Sequence, residues 1–219
     1  MAAGVAIAAK RYNPNIKVIG VEPEGAMCMK ASIEKGELVC LDNVRTIADG
    51  VAVKQPGDIT FSIAREYIDD IVTVSEFDIM ESFLVLLDKH KLIGENAGVA
   101  SLAGLKKIKE KGKNIVCIVS GGNIDVLTVA GMIDRGLVSR GRIFSFTLDL
   151  PDKPGELLKV SEVLARVGAN VIKLNHNRLK GMDRFMDVQL EVTVETNGYK
   201  HINRIIDELE KSKYEITII

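Results

Sequence analysis

The 219-residue sequence contains no tryptophan, and only 5% of its residues are aromatic. It therefore lacks the aromatic platforms on which single-stranded nucleic acids stack. Its formal net charge of −1 gives no electrostatic attraction to phosphate backbones or anionic membranes. Long apolar runs are missing too, since none approaches the roughly 20 residues that span a bilayer. The sequence predicts neither a nucleic-acid partner nor a membrane.

Cysteine is also scarce. The three cysteines, Cys28, Cys40 and Cys117, are odd in number and lack the spacing of a metal site. A reducing compartment is the simplest setting for such a pattern, and no signal peptide is visible, so we expect a cytoplasmic protein. The apolar fraction of 47% supports one large domain or two modest ones.

The N-terminus has no helix start signal. Residues 1–10 have the composition of a helix interior, but no capping residue precedes them. Two interpretations stay open: a frayed start, or a chain whose upstream sequence is missing.

The region around residues 114–125 predicts a strand, a turn and a helix. Residues 115–119 form a β-branched run that is apolar on both faces, which is typical of a buried strand in a parallel sheet. Ser120-Gly121-Gly122-Asn123 interrupts the run, and a helical pattern follows with one apolar face. The members of that face are Ile124, Leu127, Ala130 and Ile133. In open α/β sheets, ligands bind at the carboxyl ends of such strands.

Upstream of this region, helical and strand patterns alternate, which predicts parallel βαβ units. We expect strands at residues 17–22 and 70–74, and a capping box between Ser75 and Asp78. A polar, glycine-bearing hinge at residues 135–142 follows. The predicted first domain comprises residues 1–139.

The predicted second domain, residues 142–219, follows a β-α-β-β-α-β order, that of the ferredoxin-like split unit. Residues 143–150 alternate like a half-buried strand, and residues 181–183 read as a hairpin turn. The first helix has an apolar face and ends at Gly168, a C-terminal cap. We expect the following residues on that face: Leu157, Leu158, Val160, Val163, Leu164 and Val167.

The turn at residues 152–157 (Asp-Lys-Pro-Gly-Glu-Leu) resembles that of an ACT domain. The resemblance implies a homo-oligomer, a dimer or tetramer, paired through this domain, with amino acids bound at the paired surface. Free amides at the helix start can hold a carboxylate. The candidate effector residues are Gly155, Glu156, Leu157 and Asn175. On the second strand, His176 and Arg178 could face a ligand as Asn175 could, and an ordinary surface position is the alternative for each of these three. A purely structural pairing module is the alternative.

The first domain resembles the C-terminal portion of threonine ammonia-lyases (threonine dehydratases), fold type II enzymes that use pyridoxal 5'-phosphate. Each matching segment is common, but their shared order is specific. The segments are residues 3–6, 18–23, 46–50 (Thr-Ile-Ala-Asp-Gly), 95–98 (Glu-Asn-Ala-Gly) and 120–123 (Ser-Gly-Gly-Asn).

The resemblance implies that Ser120 contacts the pyridine nitrogen of the cofactor, with Gly121, Glu95, Gly50 and Gly4 also at the cofactor site. A serine hydroxyl does not hold a proton on that nitrogen as a carboxylate does, so the ring is a weaker electron sink. Loss of a β-substituent is thereby favoured, and threonine would give 2-oxobutanoate and ammonia.

Some relatives carry a cation site, to which Glu22 and Ala26 correspond. The third position, acidic in those relatives, is Cys28 here. A hard cation prefers oxygen ligands, so we expect no metal and a buried Cys28.

The family's Schiff-base lysine and tetraglycine phosphate loop have no match in this sequence. We therefore expect the chain to be a C-terminal part of such an enzyme, inactive alone because covalent capture of the substrate needs that amine. The alternative is a stand-alone amino-acid-binding or oligomerisation protein that acts through its ACT-like tail.

Overall fold

The computed structural model describes residues 1–108, 114–177 and 187–219. The chain divides into two compact units, Met1–Met132 and Ile133–Ile219, each with its own apolar residues inside.

The first unit combines helices with a small parallel sheet. Its elements are α1 (Ala2–Tyr12), β1 (Ile19–Pro23), α2 (Cys28–Lys35), α3 (Asp58–Tyr67), β2 (Asp70–Val74), α4 (Glu76–Val85), α5 (Asn96–Gly104) and the first half of α6 (Val126–Ser139), whose second half belongs to the second unit. Strands β1 and β2 pair in parallel, with Ile19 opposite Asp70 and Pro23 opposite Val74. The predicted parallel pairing is therefore confirmed for these strands.

Local signals set several boundaries of this unit as predicted. Ser75 Oγ accepts the Asp78 N–H at 3.1 Å, and the Asp78 carboxylate accepts the Ser75 N–H, so the predicted capping box is present. Helix α2 ends at Gly36, which has a φ of 79° and is the left-handed residue that commonly closes a helix. Helix α4 continues as a wider turn over Leu86–His90.

The predicted buried strand at residues 115–119 is wrong. These residues form no strand, and Val116 is 86% exposed. A buried strand needs a hydrogen-bonded neighbour, whereas within the described residues β1 and β2 pair only with each other. The segment lies beside α5 instead, where Ser101 Oγ donates to the Ile118 carbonyl at 2.8 Å.

Helix α6 also departs from the prediction. It begins at Val126, after Asp125 accepts the Thr128 N–H at 2.9 Å, and Leu127 on the predicted inner face is 84% exposed. The predicted hinge at residues 135–142 is helical as far as Ser139. Gly141, with a φ of 61°, ends the helix, because its N–H and that of the next residue bond back to the last helical turn. The hinge is therefore only a short turn.

The second unit is a four-stranded antiparallel sheet with two helices. Its further elements are β3 (Ile143–Pro151), α7 (Glu156–Val167), β4 (Asn170–Asn177), β5 (Asp187–Glu195), α8 (Tyr199–Lys211) and β6 (Ile216–Ile218). The strand order is β4-β5-β3-β6, with Ile143 of β3 opposite Glu195 of β5. The element order is the predicted β-α-β-β-α-β. The predicted hairpin turn at 181–183 and Arg178 lie outside the described residues.

The core of this unit lies between one face of the sheet and the two helices. Strand β3 alternates as predicted, and every second residue from Phe144 to Leu150 is buried. Helix α7 buries Val160, Val163, Leu164 and Val167. Leu157 and Leu158 were expected to be buried as well but are 41% and 62% exposed. Leu158 lies on the side of the helix away from the four buried residues, whereas Leu157 lies on their side but in the first turn, at the end of the buried stripe.

Candidate active site

Glu95 is the centre of the candidate site. It immediately precedes α5, and its N–H donates to the Gly121 carbonyl at 3.2 Å. Its carboxylate oxygen Oε2 accepts the Asn123 N–H, also at 3.2 Å. The segments at 95–98 and 120–123, which are separate in the sequence, are therefore joined by two hydrogen bonds. Glu95 itself is half-buried.

Three glycines allow the backbone to close around Glu95 and Ser120. A Cβ on Gly98 would lie 1.4 Å from the Ser120 carbonyl oxygen, and one on Gly121 would lie 2.2 Å from Glu95 Cδ. A Cβ on Gly50 would lie 3.4 Å from Glu95 Oε1. Gly121 also has a φ of 77°, which favours glycine. The structure therefore brings together four of the predicted cofactor residues: Ser120, Gly121, Glu95 and Gly50.

Ser120 presents a free hydroxyl at this cluster. Its N–H donates to the Gly98 carbonyl at 3.4 Å, and the side chain is half-buried. Its Oγ makes no hydrogen bond to the described part of the chain. A half-buried hydroxyl without a protein partner can both donate to and accept from a bound molecule.

Gly4 lies elsewhere. It is exposed on α1, and a Cβ there would meet nothing within 4 Å. The structure shows no contact between Gly4 and the Glu95 cluster among the residues it describes, so its role stays a prediction.

The loop at residues 46–50 is held by side chains that the sequence analysis did not single out. Ile47 N–H donates to Glu76 Oε2 at 2.7 Å, and Asn96 Nδ2 donates to the Ile47 carbonyl at 2.8 Å. Asn96 is 8% exposed. Its place directly after Glu95 in the Glu-Asn-Ala-Gly motif was the available signal. Nothing in the sequence pointed to Glu76.

Cys28 is the first residue of α2, and the carboxylate of Glu22, on β1, reaches the same helix start. Glu22 accepts the N–H groups of Met29 at 3.0 Å and Lys30 at 2.8 Å. Burial raises the pKa of the Glu22 carboxyl above its usual value despite these bonds, and burial also raises the pKa of the Cys28 thiol. Cys28 is buried, as predicted. Within residues 1–108, 114–177 and 187–219, no three His, Cys, Asp or Glu side chains are grouped to hold a metal ion.

The second unit contains a cavity of about 450 Å³ at the predicted effector turn. Gly155, Glu156 and Leu157 line it, as does His176 on β4. Asn175 does not line it. Alternate residues of a strand point to opposite faces, so Asn175 faces away from the side of His176. Gly155 has a φ of 93° and precedes the first turn of α7.

The chemistry available at the Glu95 cluster is limited by its residues. It offers a hydroxyl, a carboxylate and close-approaching backbone, and none of the described contacts of Glu95, Ser120 or Gly121 comes from a lysine amine. The cluster can orient and polarise a bound ring but contains no amine nucleophile.

No helix in the described residues is long and apolar enough to cross a bilayer.

Known proteins share both the sequence and the fold of the first unit. The chain is 38% identical over 217 residues to an L-threonine ammonia-lyase from Thermotoga maritima, an alignment that covers 99% of this chain and 54% of that protein. It thus spans about half the length of the relatives it matches. The processed form of threonine deaminase isoform 2 from Solanum lycopersicum superposes with a TM-score of 0.56 at 40% identity, covering 61% of this chain and 40% of that one. A maize serine racemase gives a TM-score of 0.54 at 32% identity, covering 62% and 44%.

The family profile described as "Pyridoxal-phosphate dependent enzyme" matches residues 1–121, more than half of the chain and nearly all of the first unit. The matched range includes Glu95, Ser120 and Gly121, and so extends to the glycine turn that closes the cluster. The chain belongs to the family of pyridoxal-phosphate dependent enzymes.

Proposed function

We propose that the chain is part of a threonine ammonia-lyase that converts L-threonine to 2-oxobutanoate and ammonia by β-elimination. The observation that carries the proposal is the convergence of three separate segments: Gly121 and Gly50 lie against Glu95, and Ser120 lies against Gly98. The names of the Thermotoga maritima and tomato relatives point to the same reaction.

The cluster fits the ring of pyridoxal phosphate in its donor set. Ser120 offers a hydroxyl that is free of described protein partners, suited to the pyridine nitrogen. Glu95 offers a half-buried carboxylate at the ring edge, and the glycines leave room for a flat molecule near the backbone. When bound, the cofactor supplies the electron sink that allows a β-substituent to leave an amino acid. Ser120 would keep the nitrogen unprotonated, and Glu95 would orient the ring.

The test is a reconstitution. The part of the Thermotoga maritima enzyme that this chain does not cover is fused to the chain, and release of 2-oxobutanoate from L-threonine is followed with pyridoxal phosphate present. We expect turnover by the fusion and none by the 219-residue chain alone, because the cluster contains no amine nucleophile.

Ser120→Ala should lower the turnover of the fusion by about tenfold or more, the effect of losing one hydrogen bond to the reacting system. Ser62→Ala is the matched control, because Ser62 is exposed on α3 and donates only to the Asp58 carbonyl. Enzyme-like turnover by the 219-residue chain alone, or an unchanged rate in the Ser120→Ala fusion, would contradict the proposal.

We further propose that the second unit is an ACT-type, ferredoxin-like module that binds an amino acid. The cavity at Gly155, Glu156 and Leu157 supports this, since the first amides of α7 can hold a carboxylate. Strands β4 and β6 form the two edges of the sheet. Strand β4 is the longer of the two and is exposed along nearly its whole length, as a surface for pairing with a second copy would be.

Titration calorimetry with isoleucine, valine, threonine and serine separates this role from a purely structural one. Binding of one of the four that is weakened by Gly155→Ala is the expected result. Gly155 has a positive φ, so an alanine there would strain the turn. No heat with any of the four would favour a pairing module. If an amino acid binds and the fusion enzyme shows no turnover, the stand-alone binding protein becomes the better description.

We also propose a cytoplasmic location for the protein, because all three cysteines are free thiols, as in a reducing compartment.

A further inference from the structure

The peptide groups of Ile47 are held from two sides by side chains of two different helices. Glu76, the first residue of α4, accepts the Ile47 N–H at 2.7 Å. Asn96, the first residue of α5, donates to the Ile47 carbonyl at 2.8 Å. These bonds join residues that are 29 and 49 positions apart in the sequence. We call the pair the Ile47 clamp.

The clamped residue belongs to the loop at residues 46–50, which contacts the Glu95 cluster. Ala48, next to the clamped residue, is fully buried, and its N–H donates to Thr46 Oγ1 at 3.1 Å. Two residues further, Gly50 lies against Glu95 Oε1 and Ala97 Cβ. Asn96 therefore bonds to one end of the loop, and its two neighbours in the chain, Glu95 and Ala97, are the residues that Gly50 approaches at the other end. A displacement of Ile47 would be transmitted over three residues to the edge of the Glu95 cluster.

The clamp is also made of groups whose bonding is incomplete. Asn96 Oδ1 and Glu76 Oε1 are both buried and have no hydrogen-bond partner among the described residues. Buried polar atoms without partners lower stability, so a purely structural core position would favour apolar residues here. A polar clamp is instead a means of holding one backbone segment in one place.

We infer that Asn96 and Glu76 are positioning residues: they hold loop 46–50 against Glu95 and thereby preset the Gly50 edge of the site. The positioning itself rests on the geometry above. Its consequence for pyridoxal phosphate rests on the proposed function.

Two isosteric substitutions separate positioning from general stability. Asn96→Asp replaces the Nδ2 donor by an oxygen that faces the Ile47 carbonyl oxygen, so the clamp opens on that side. Glu76→Gln keeps an oxygen for the Ile47 N–H and places an amide donor where Oε1 has no partner. Glu76→Ala removes the acceptor altogether and is the disruptive partner of Glu76→Gln.

The first measurement is amide hydrogen exchange on the 219-residue chain, with α8 of the second unit as internal reference. Asn96→Asp and Glu76→Ala should each speed exchange of the loop amides by about tenfold, the effect of one lost buried hydrogen bond. Glu76→Gln should stay within about threefold of the unsubstituted chain. The second measurement is the absorbance change when the fusion enzyme is titrated with pyridoxal phosphate, where the two disruptive variants should bind about tenfold more weakly and Glu76→Gln should not.

Unchanged loop exchange in Asn96→Asp and Glu76→Ala would overturn the inference. So would an increase that is equally large in α3, because that pattern means general destabilisation. Loop exchange in Glu76→Gln that is as fast as in Glu76→Ala would also overturn the inference. If the unsubstituted fusion binds no pyridoxal phosphate while the loop responds as expected, the clamp is supported and the proposed function is weakened.

Discussion

Strand β3 alternates apolar and polar residues, and residues 115–119 form a continuous apolar run. Both patterns favour burial, but only β3 is a buried strand. In the second unit, β3 has β5 on one side and β6 on the other, and Phe146 and Leu148 on it are almost completely buried. In the first unit, residues 115–119 have no strand neighbour in the described part of the chain, and Val116 is 86% exposed.

The difference shows what an apolar pattern specifies. It specifies that burial is favourable, at about 25 cal/mol for each Å² of apolar surface removed from water. The pattern does not determine which other part of the chain will cover these apolar residues. The second unit brings its own strands and helices to β3, whereas the contacts described for residues 115–119 come from Ser101 of α5 and from Gly94 in the loop before it.

The largest effect that would test this comparison is expected at two leucines on α7. Leu164 is 2% exposed and Leu158 is 62% exposed, on the same helix and with the same side chain. Leu164→Ala should lower the free energy of unfolding by about 2–5 kcal/mol, because it leaves a cavity in the core. Leu158→Ala should change it by less than about 0.5 kcal/mol. Denaturant unfolding of both variants is the measurement, and equal losses would show that the two leucines share one environment.

A smaller effect is expected at the close approach in the first unit. Gly98→Ala places a Cβ 1.4 Å from the Ser120 carbonyl oxygen, so the backbone must shift. We expect a loss of about 1–3 kcal/mol in the free energy of unfolding, measured by denaturant unfolding.

The control for this variant is Gly131→Ala on α6, where a Cβ meets nothing within 4 Å. That substitution should raise stability by about 0.5–1 kcal/mol, because alanine suits a helix better than glycine. A Gly98→Ala variant as stable as Gly131→Ala would mean that residues 98 and 120 do not approach in solution.

The smallest effect concerns the helix start that both sequence and structure place at Ser75. Burial would raise the pKa of Asp78, but the hydrogen bonds from Ser75 and the nearby Lys106 and Lys107 outweigh it and leave the pKa below its usual 3.8. Because the folded-state pKa is depressed, this stabilisation is full above pH 3.8 and is lost as the pH falls through the folded value. Asp78→Asn should remove this part of the acid dependence and cost about 1 kcal/mol at neutral pH.

Unfolding followed from pH 7 to pH 2 measures both quantities. Asp58→Asn, at the start of α3 where no side chain caps the helix, is the control and should keep the acid-side loss. Asp69, whose pKa is also depressed by Lys10 and the Val18 N–H, should contribute to the remaining loss in Asp78→Asn. An Asp78→Asn variant with the original acid profile would show that the capping box carries no charge dependence.

Elements with local signals could be predicted from the sequence. Strand β2 has its predicted bounds, the capping box is present at Ser75 and Asp78, and Gly168 ends its helix with a positive φ. The end of α6 could have been found as well, since Gly141 closes it in the same way. The polar residues at 135–142 indicated a hinge, but a helix accepts polar residues on its exposed side, so they do not by themselves end one.

The candidate site was predictable as a set of residues but not as a geometry. The order of the segments around Gly50, Glu95 and Ser120 predicted which residues belong together, and the structure joins them through Glu95. The clamp on Ile47 was missed because Glu76 lies on another helix and belongs to no motif. Asn175 and His176 were both candidates to face a ligand beside the 152–157 turn, and only His176 lines the cavity.

The amino-acid order by itself determined the helix caps, the alternation of β3 and the glycines that permit close approach. Each of these depends on bonds or contacts within a few residues, or on backbone freedom at one position. Only the tertiary structure decided that residues 115–119 stay exposed, and that Glu76 and Asn96 meet at Ile47. Burial and long-range hydrogen bonds depend on which distant segments become neighbours, and a local pattern does not carry that information.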